Sequence, residues 1–203
     1  MIIGEVLLTP SDYRQLATLH SINLGNSILS KLGGGMLRRY YKFIEQSESD
    51  FLFIEGRSGE IRGATVLSFD SRTVMHQFVK KHFFVFALSA AWKCLTSPSF
   101  ILILLQQGNP DSSSLDKDAK EQIEIVQIFV DEKYRNQKIG KKLLDQVNAF
   151  LYSRGIPKYI IRTRINDNDA TLGFYRKNDF KEIKRAKWKD DFFVFMEKSV
   201  HPG

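Results

Sequence analysis

Val130-Asp131-Glu132-Lys133-Tyr134-Arg135-Asn136-Gln137-Lys138-Ile139-Gly140-Lys141 is the stretch that decides the fold. An apolar run, Ile123–Val130, reads as a strand and ends in a short basic turn. Beyond the turn, Leu143, Leu144, Val147, Phe150 and Leu151 line one face of a helix over Gly140–Arg154. Gly155 and Pro157 stop that helix. The first N–H groups of a helix lack intrahelical partners and lie at its positive end, so this strand-turn-helix builds a site for a pyrophosphate. Arg135, Lys138 and Lys141 add positive charge at the same place.

Downstream, Tyr159–Ile165 reads as a second strand and Ala170–Lys177 as a short helix. Phe180–Trp188 and Phe192–Lys198 read as a closing hairpin. Upstream, Ile2–Leu8 has strand character, and Thr9-Pro10 marks a helix start with Asp12 in its first turn. Met36, Leu37, Tyr40, Tyr41 and Ile44 recur at helical spacing over Gly35–Gln46. The preceding Gly33-Gly34-Gly35 reads as a flexible turn. Phe51–Glu55 and Glu60–Phe69 flank Gly56-Arg57-Ser58-Gly59 as a hairpin.

Two motifs within Ile123–Phe180 resemble those of the GNAT superfamily of acyl-CoA-dependent N-acyltransferases. In the first, Arg135 and Gly140 match the ends of the family's pyrophosphate loop, and Lys138 stands where its first glycine is expected. In the second, Asn168, Phe174, Tyr175, Lys177 and Phe180 match an Asn-helix-Phe-Tyr-Lys-Gly-Phe pattern, with Asp179 in place of the glycine. The resemblance implies an α/β fold with a mixed (α+β) sheet, in which 1–203 form a single N-acetyltransferase domain. Between the third and fourth strands, which in that family normally connect by a short turn, Asp70–Gln122 reads as a helical, apolar insertion.

The same resemblance assigns acetyl-CoA to Arg135, Asn136, Gln137, Lys138, Ile139, Gly140 and Lys141, with Asn168, Phe174 and Tyr175. Backbone amides of Ile128, Phe129 and Val130 are expected to face the acyl group and pantetheine. Tyr175 matches the family's general acid. Glu124 is the candidate base, eleven residues before Arg135 as in the histone acetyltransferase branch. Strict alternation puts it on the face of Val126, Ile128 and Val130. A water relay in place of one dedicated base stays open. So does a protein that binds acyl-CoA without catalysis. The Leu37-Arg38-Arg39-Tyr40-Tyr41 region resembles GNAT proteins encoded with bacterial surface-polysaccharide enzymes, a pointer to an amino-sugar acceptor beside small-molecule amines, peptides and proteins.

Composition narrows the rest. The chain has 203 residues, 30 Lys+Arg against 23 Asp+Glu, and a net charge of +7. That charge attracts polyanions in general. Its cations are dispersed and no recognition motif accompanies them, which argues against nucleic acid. Cys94 is the lone cysteine, so neither an internal disulfide nor a thiolate zinc site can form. His20, His76, His82 and His201 are scattered without ligand spacing, so no metal is expected. No secretory leader is visible, and a cytoplasmic location is the expectation. Phe83–Trp92 and Phe100–Leu105 are too short to span a bilayer. They leave a buried insertion, a homodimer contact and peripheral membrane contact open. Gly108–Lys120 reads as a polar loop.

Overall fold

The computed structural model describes residues 8–57, 59–97, 100–101, 123–166, 168–188 and 191–201. Helix α1 (Pro10–Asn23) opens with the expected cap. Thr9 Oγ1 accepts from the Asp12 amide and the Asp12 carboxylate accepts from the Thr9 amide, a reciprocal capping box. A short α2 (Ile28–Leu32) runs into α3 (Gly34–Glu45). The glycine run there is less loose than its sequence reads. Gly33, at φ +97°, closes α2 and opens α3, while Gly34 and Gly35 already lie in the first turn of α3.

The hairpin strands are β1 (Asp50–Arg57) and β2 (Glu60–Ser68). Helices α4 (Val74–Lys81) and α5 (Phe83–Thr96) follow. Then come β3 (Glu124–Val130), a single 3-10 turn (Glu132–Tyr134), α6 (Ile139–Ser153), β4 (Lys158–Arg164), α7 (Asp169–Lys177), β5 (Lys181–Trp188) and β6 (Asp191–Ser199). The strand expected at Ile2–Leu8 and the loop expected at Gly108–Lys120 lie outside the described residues. Of Phe100–Leu105 only Phe100 and Ile101 are described, both helical. The expected insertion therefore falls between β2 and β3 of the described strands.

One six-stranded sheet has the order β1-β2-β3-β4-β6-β5. All neighbours are antiparallel except β3 and β4. Two apolar clusters cover its two faces. On one, α1 to α4 bury Leu16, Leu37, Tyr41, Ile44 and Phe78 against Leu52, Val66 and Phe129. On the other, α6 and α7 bury Leu143, Leu144, Val147 and Tyr175 against Phe53, Ile125, Ile161 and Met196.

Helix α6 sits very close to the sheet. A Cβ on Gly63 of β2 would lie 2.9 Å from the Phe129 carbonyl oxygen and 3.1 Å from Ile139 Cγ2. Only a residue without a side chain permits that approach. The 15-residue helix is thereby held with its N-terminus at the end of β3.

Candidate active site

Strands β3 and β4 are paired only at Glu124 with Ile160 and Ile125 with Ile161. Beyond Ile125 the two strands part, while β3 stays paired with β2 as far as Val130. The result is a wedge in the middle of the sheet, with one edge of β3 left free of β4. Hydrogen-bonding direction alternates along a strand. The Asp131 amide donates to the Arg62 carbonyl, and the Gln127 carbonyl accepts from Thr65 Oγ1. Residues 127, 129 and 131 therefore turn their backbone groups to β2, and Ile128 and Val130 turn theirs into the wedge. The amide of Phe129 faces β2 instead.

A bulge marks the point of divergence. The β2–β3 register moves from Leu67 opposite Ile125 to Val66 opposite Gln127, so Val126 is the extra residue. It breaks the strict alternation expected for Glu124. Ile128 and Val130 pack with Ile125 on the α6 face. Val126 and Phe129 belong to the opposite face, and Gln127 reaches Tyr41 there. Glu124 thus shares a face with Val126 but not with Ile128 or Val130.

Glu124 is 6% exposed and held on both oxygens. Ser71 Oγ donates to Oε2 at 2.5 Å, and Arg162 Nε lies 3.6 Å from Oε1. Neither partner is legible from sequence, because Ser71 follows β2 and Arg162 belongs to β4. On the same face runs a chain of hydrogen bonds centred on the buried His20–Tyr41 pair. Gln127 Nε2 donates to the Tyr41 hydroxyl at 3.3 Å, and that hydroxyl lies 2.7 Å from His20 Nδ1. His20 Nε2 is 3.2 Å from Ser27 Oγ. Ser27 Oγ donates onward to Ser30 Oγ, so it is an acceptor for His20. The direction follows: His20 carries its proton on Nε2 and accepts the tyrosine proton at Nδ1. Burial lowers the His20 pKa to about 4 and raises that of Tyr41. Gln127, missed by sequence reading, is thereby tethered beside the bulge.

The basic turn lies at the mouth of the wedge. Tyr134 donates to Glu60 at 2.9 Å and stacks under the Arg62 guanidinium, which pins the turn to β2. Arg135 Nη2 donates to Asn23 Oδ1 at 2.9 Å, tying the turn to the end of α1. Leu19, Ile22, Asn23, Asp131, Glu132 and Lys133 line a cavity of about 290 Å³ there. Asn136, Gln137 and Lys138 are exposed. Lys141 pairs with Asp145 at 2.8 Å. No side chain caps the first turn of α6, so its N–H groups stay open.

Both departures from the family motifs keep the backbone of the glycine they replace. Lys138 has φ +61° and Asp179 φ +67°. Asp179 follows α7, where the Phe180 amide returns to the Tyr175 carbonyl, as at a left-handed helix end. Asn136, at φ +62°, is the other non-glycine residue of this kind among those described.

Gly140 cannot be replaced so freely. A Cβ there would lie 3.0 Å from Cε2 and Cζ of Phe174. The aromatic of the second motif thus rests on the glycine of the first, and the two motifs form one structure. Tyr175 is buried against Phe174 and Phe180, with ring centroids 5.3 and 5.2 Å away. Burial holds its phenol protonated, well above the usual range. Asn168 does not cap α7. Its amide donates to Thr163 Oγ1 and to the Arg164 carbonyl, both at 2.8 Å, which fastens α7 to the end of β4. Among the described residues no group of His, Cys, Asp or Glu could hold a metal ion.

Residues 101–182 match the family model described as an acetyltransferase (GNAT) domain. Over that segment the chain is similar to a GNAT domain. Both motifs fall inside the matched segment. Solved structures share the fold over nearly the whole length. An aminoglycoside 6'-N-acetyltransferase complexed with coenzyme A is 13% identical, with 96% of this chain and 94% of that chain covered and a TM-score of 0.59. Ard1 from Thermoplasma volcanium is 16% identical, with coverage of 96% and 95% and a TM-score of 0.56. NAA60 from Arabidopsis thaliana, in complex with acetyl-CoA, is 14% identical, with coverage of 95% and 96% and a TM-score of 0.56. No curated protein matches the chain.

The geometry of this site yields two predictions. Lys138→Gly removes a left-handed penalty of about 1–2 kcal/mol, less the roughly 0.4–1 kcal/mol that glycine adds to the entropy of the unfolded chain. A net gain of about 0.5–1 kcal/mol is expected in chemical denaturation, and a loss would show that the lysine makes contacts outweighing its backbone strain. The second concerns His20, whose folded pKa near 4 lies below the ordinary 6.5. Between those values the unfolded chain binds a proton that the folded one does not. The histidine's contribution is therefore full above pH 6.5 and falls as the pH drops to about 4, by on the order of 3 kcal/mol. The difference in stability between wild type and His20→Gln should follow that curve. An imidazole titrating near 6.5 by NMR would contradict it.

Proposed function

We propose that the chain is one transferase domain, with 70–122 as its insertion, that moves an acetyl group from acetyl-CoA to a primary amine. The acceptor class is a small molecule, an amino sugar, a peptide or a protein. The observation that carries this reading is the free edge of β3 running into the open N-terminus of α6. The wedge suits an extended pantetheine with amides, which would pair with Ile128 and Val130 as another strand does. The α6 N–H groups, with Arg135 and Lys138 at hand, suit the pyrophosphate. The glycine at 140 and the ring of Phe174 keep that end of the helix in place.

In the reaction the amine nitrogen forms a bond to the thioester carbon and the carbon–sulfur bond breaks, giving an amide and free CoA. Glu124 is the proposed base: it takes the amine proton directly or through a water, from the face that carries α1 to α4. Arg162 and Ser71 hold its carboxylate in place. Tethered Gln127 is the polar neighbour available to orient the amine. Backbone N–H groups of the β3 edge meet the charge that develops on the thioester oxygen. Tyr175 lies on the other face and keeps its proton until the departing thiolate needs one. Acid and base thus stand on opposite sides of the wedge, and each partner of the reaction has its own approach.

Calorimetric titration with acetyl-CoA, followed by turnover on a panel of primary amines, tests this reading. Binding and turnover are expected, with Tyr175→Phe and Glu124→Gln each lowering kcat by on the order of 10²-fold while acetyl-CoA binding stays near wild type. Binding without turnover on any amine favours a non-catalytic acyl-CoA-binding protein, a reading kept open by Lys138 and Asp179. No binding would overturn both.

A further inference from the structure

Helix α5 reverses the usual amphipathic arrangement. Its 14 residues include no buried one. Phe86, Ser89, Ala90, Lys93 and Cys94 are half-covered on the side toward the protein. The outward stripe is Phe84 (85% exposed), Leu88 (74%), Trp92 (67%) and Leu95 (79%), at the i, i+4, i+8, i+11 spacing of one helical face. Phe83 and Ile101 are also exposed. Single exposed apolar residues are ordinary, but a contiguous stripe of this kind marks a contact surface.

The charge around the stripe selects the partner. From Ser71 to Pro110 the sequence has Arg72, Lys80, Lys81 and Lys93 and no Asp or Glu at all. Lys80 and Lys81 occupy the last turn of α4, immediately before α5. Arg39 of α3 adds its field at the same junction, where both it and Lys81 act on His82. A second copy meeting this surface face to face would set those cations against each other. An anionic surface with an apolar layer beneath it satisfies both features at once.

We propose that α5 docks in the interface of an anionic lipid bilayer, with Phe84, Leu88, Trp92 and Leu95 in the acyl boundary and Lys80, Lys81 and Arg39 at the headgroups. At about 1.5 Å per residue the helix is about 21 Å long, short of the roughly 30 Å of a hydrocarbon core. Among the described residues no helix is long and apolar enough to cross a membrane. The helix therefore lies along the surface.

The test uses the full chain and vesicles of phosphatidylcholine with and without phosphatidylglycerol. Co-sedimentation is expected with the anionic vesicles, weakening as salt rises, and not with phosphatidylcholine alone. In Trp188→Phe protein, Trp92 is the one tryptophan left, and its emission should shift to the blue on the anionic vesicles. Leu88→Glu should weaken partitioning by about tenfold or more, and Lys80→Glu with Lys81→Glu should lose the preference for anionic lipid. Both sites are exposed, and circular dichroism checks that the variants fold. Protein that stays in the supernatant, or Leu88→Glu binding as well as wild type, overturns the proposal. A dimer in sedimentation equilibrium that Leu88→Glu dissolves overturns it in favour of a second copy. None of these readouts depends on acetyl transfer.

Discussion

The parting of β3 from β4 after Ile125 is the constraint on which the rest of the structure depends. Parallel strands have no reason to separate unless something holds each of them elsewhere. Here β3 is held by β2 along its whole length, and β4 by β6 from Lys158 to Arg164. The Val126 bulge adds twist where the separation begins. The cost is a strand edge with unpaired backbone groups in the centre of a sheet. Unpaired groups buried away from water are expensive, so such an edge persists where a ligand or solvent meets it.

The elements around the wedge are arranged to keep it open and charged in the right sense. Gly63 lets α6 approach the sheet, and that approach brings the positive end of the helix to the end of β3. Tyr134, Arg62 and Glu60 lock the turn between them. Phe174 presses on Gly140 from α7, and Asn168 fastens α7 to β4. Each of these contacts links one side of the wedge to the other, or to its floor. Loss of one would be felt in the shape of the wedge as well as in stability.

Much of this was legible in the residues, and the gaps have physical causes. The Thr9-Pro10-Asp12 cap, the β1–β2 hairpin and the α6 periodicity are local signals, and each element formed where its signal lay. The face of Glu124 was misread because alternation assumes an unbroken ladder, and a bulge is a property of two strands. The partners of Glu124 come from β4 and from beyond β2, so no spacing in the sequence reveals them. Lys138 and Asp179 show the opposite limit. As residue types they break the motif glycines, yet the backbone keeps the left-handed turn. The His20–Tyr41–Gln127 chain joins three elements distant in sequence, so no local spacing reveals it.

The central claim is that the free edge of β3 receives acetyl-CoA as a strand is received. Amide hydrogen exchange at Ile128 and Val130, followed by NMR with and without acetyl-CoA, tests it most directly. The account predicts marked slowing at those two amides on addition of the ligand, with the β2-directed amide of Phe129 protected in both states. Unchanged exchange at Ile128 and Val130 under saturating acetyl-CoA would contradict it.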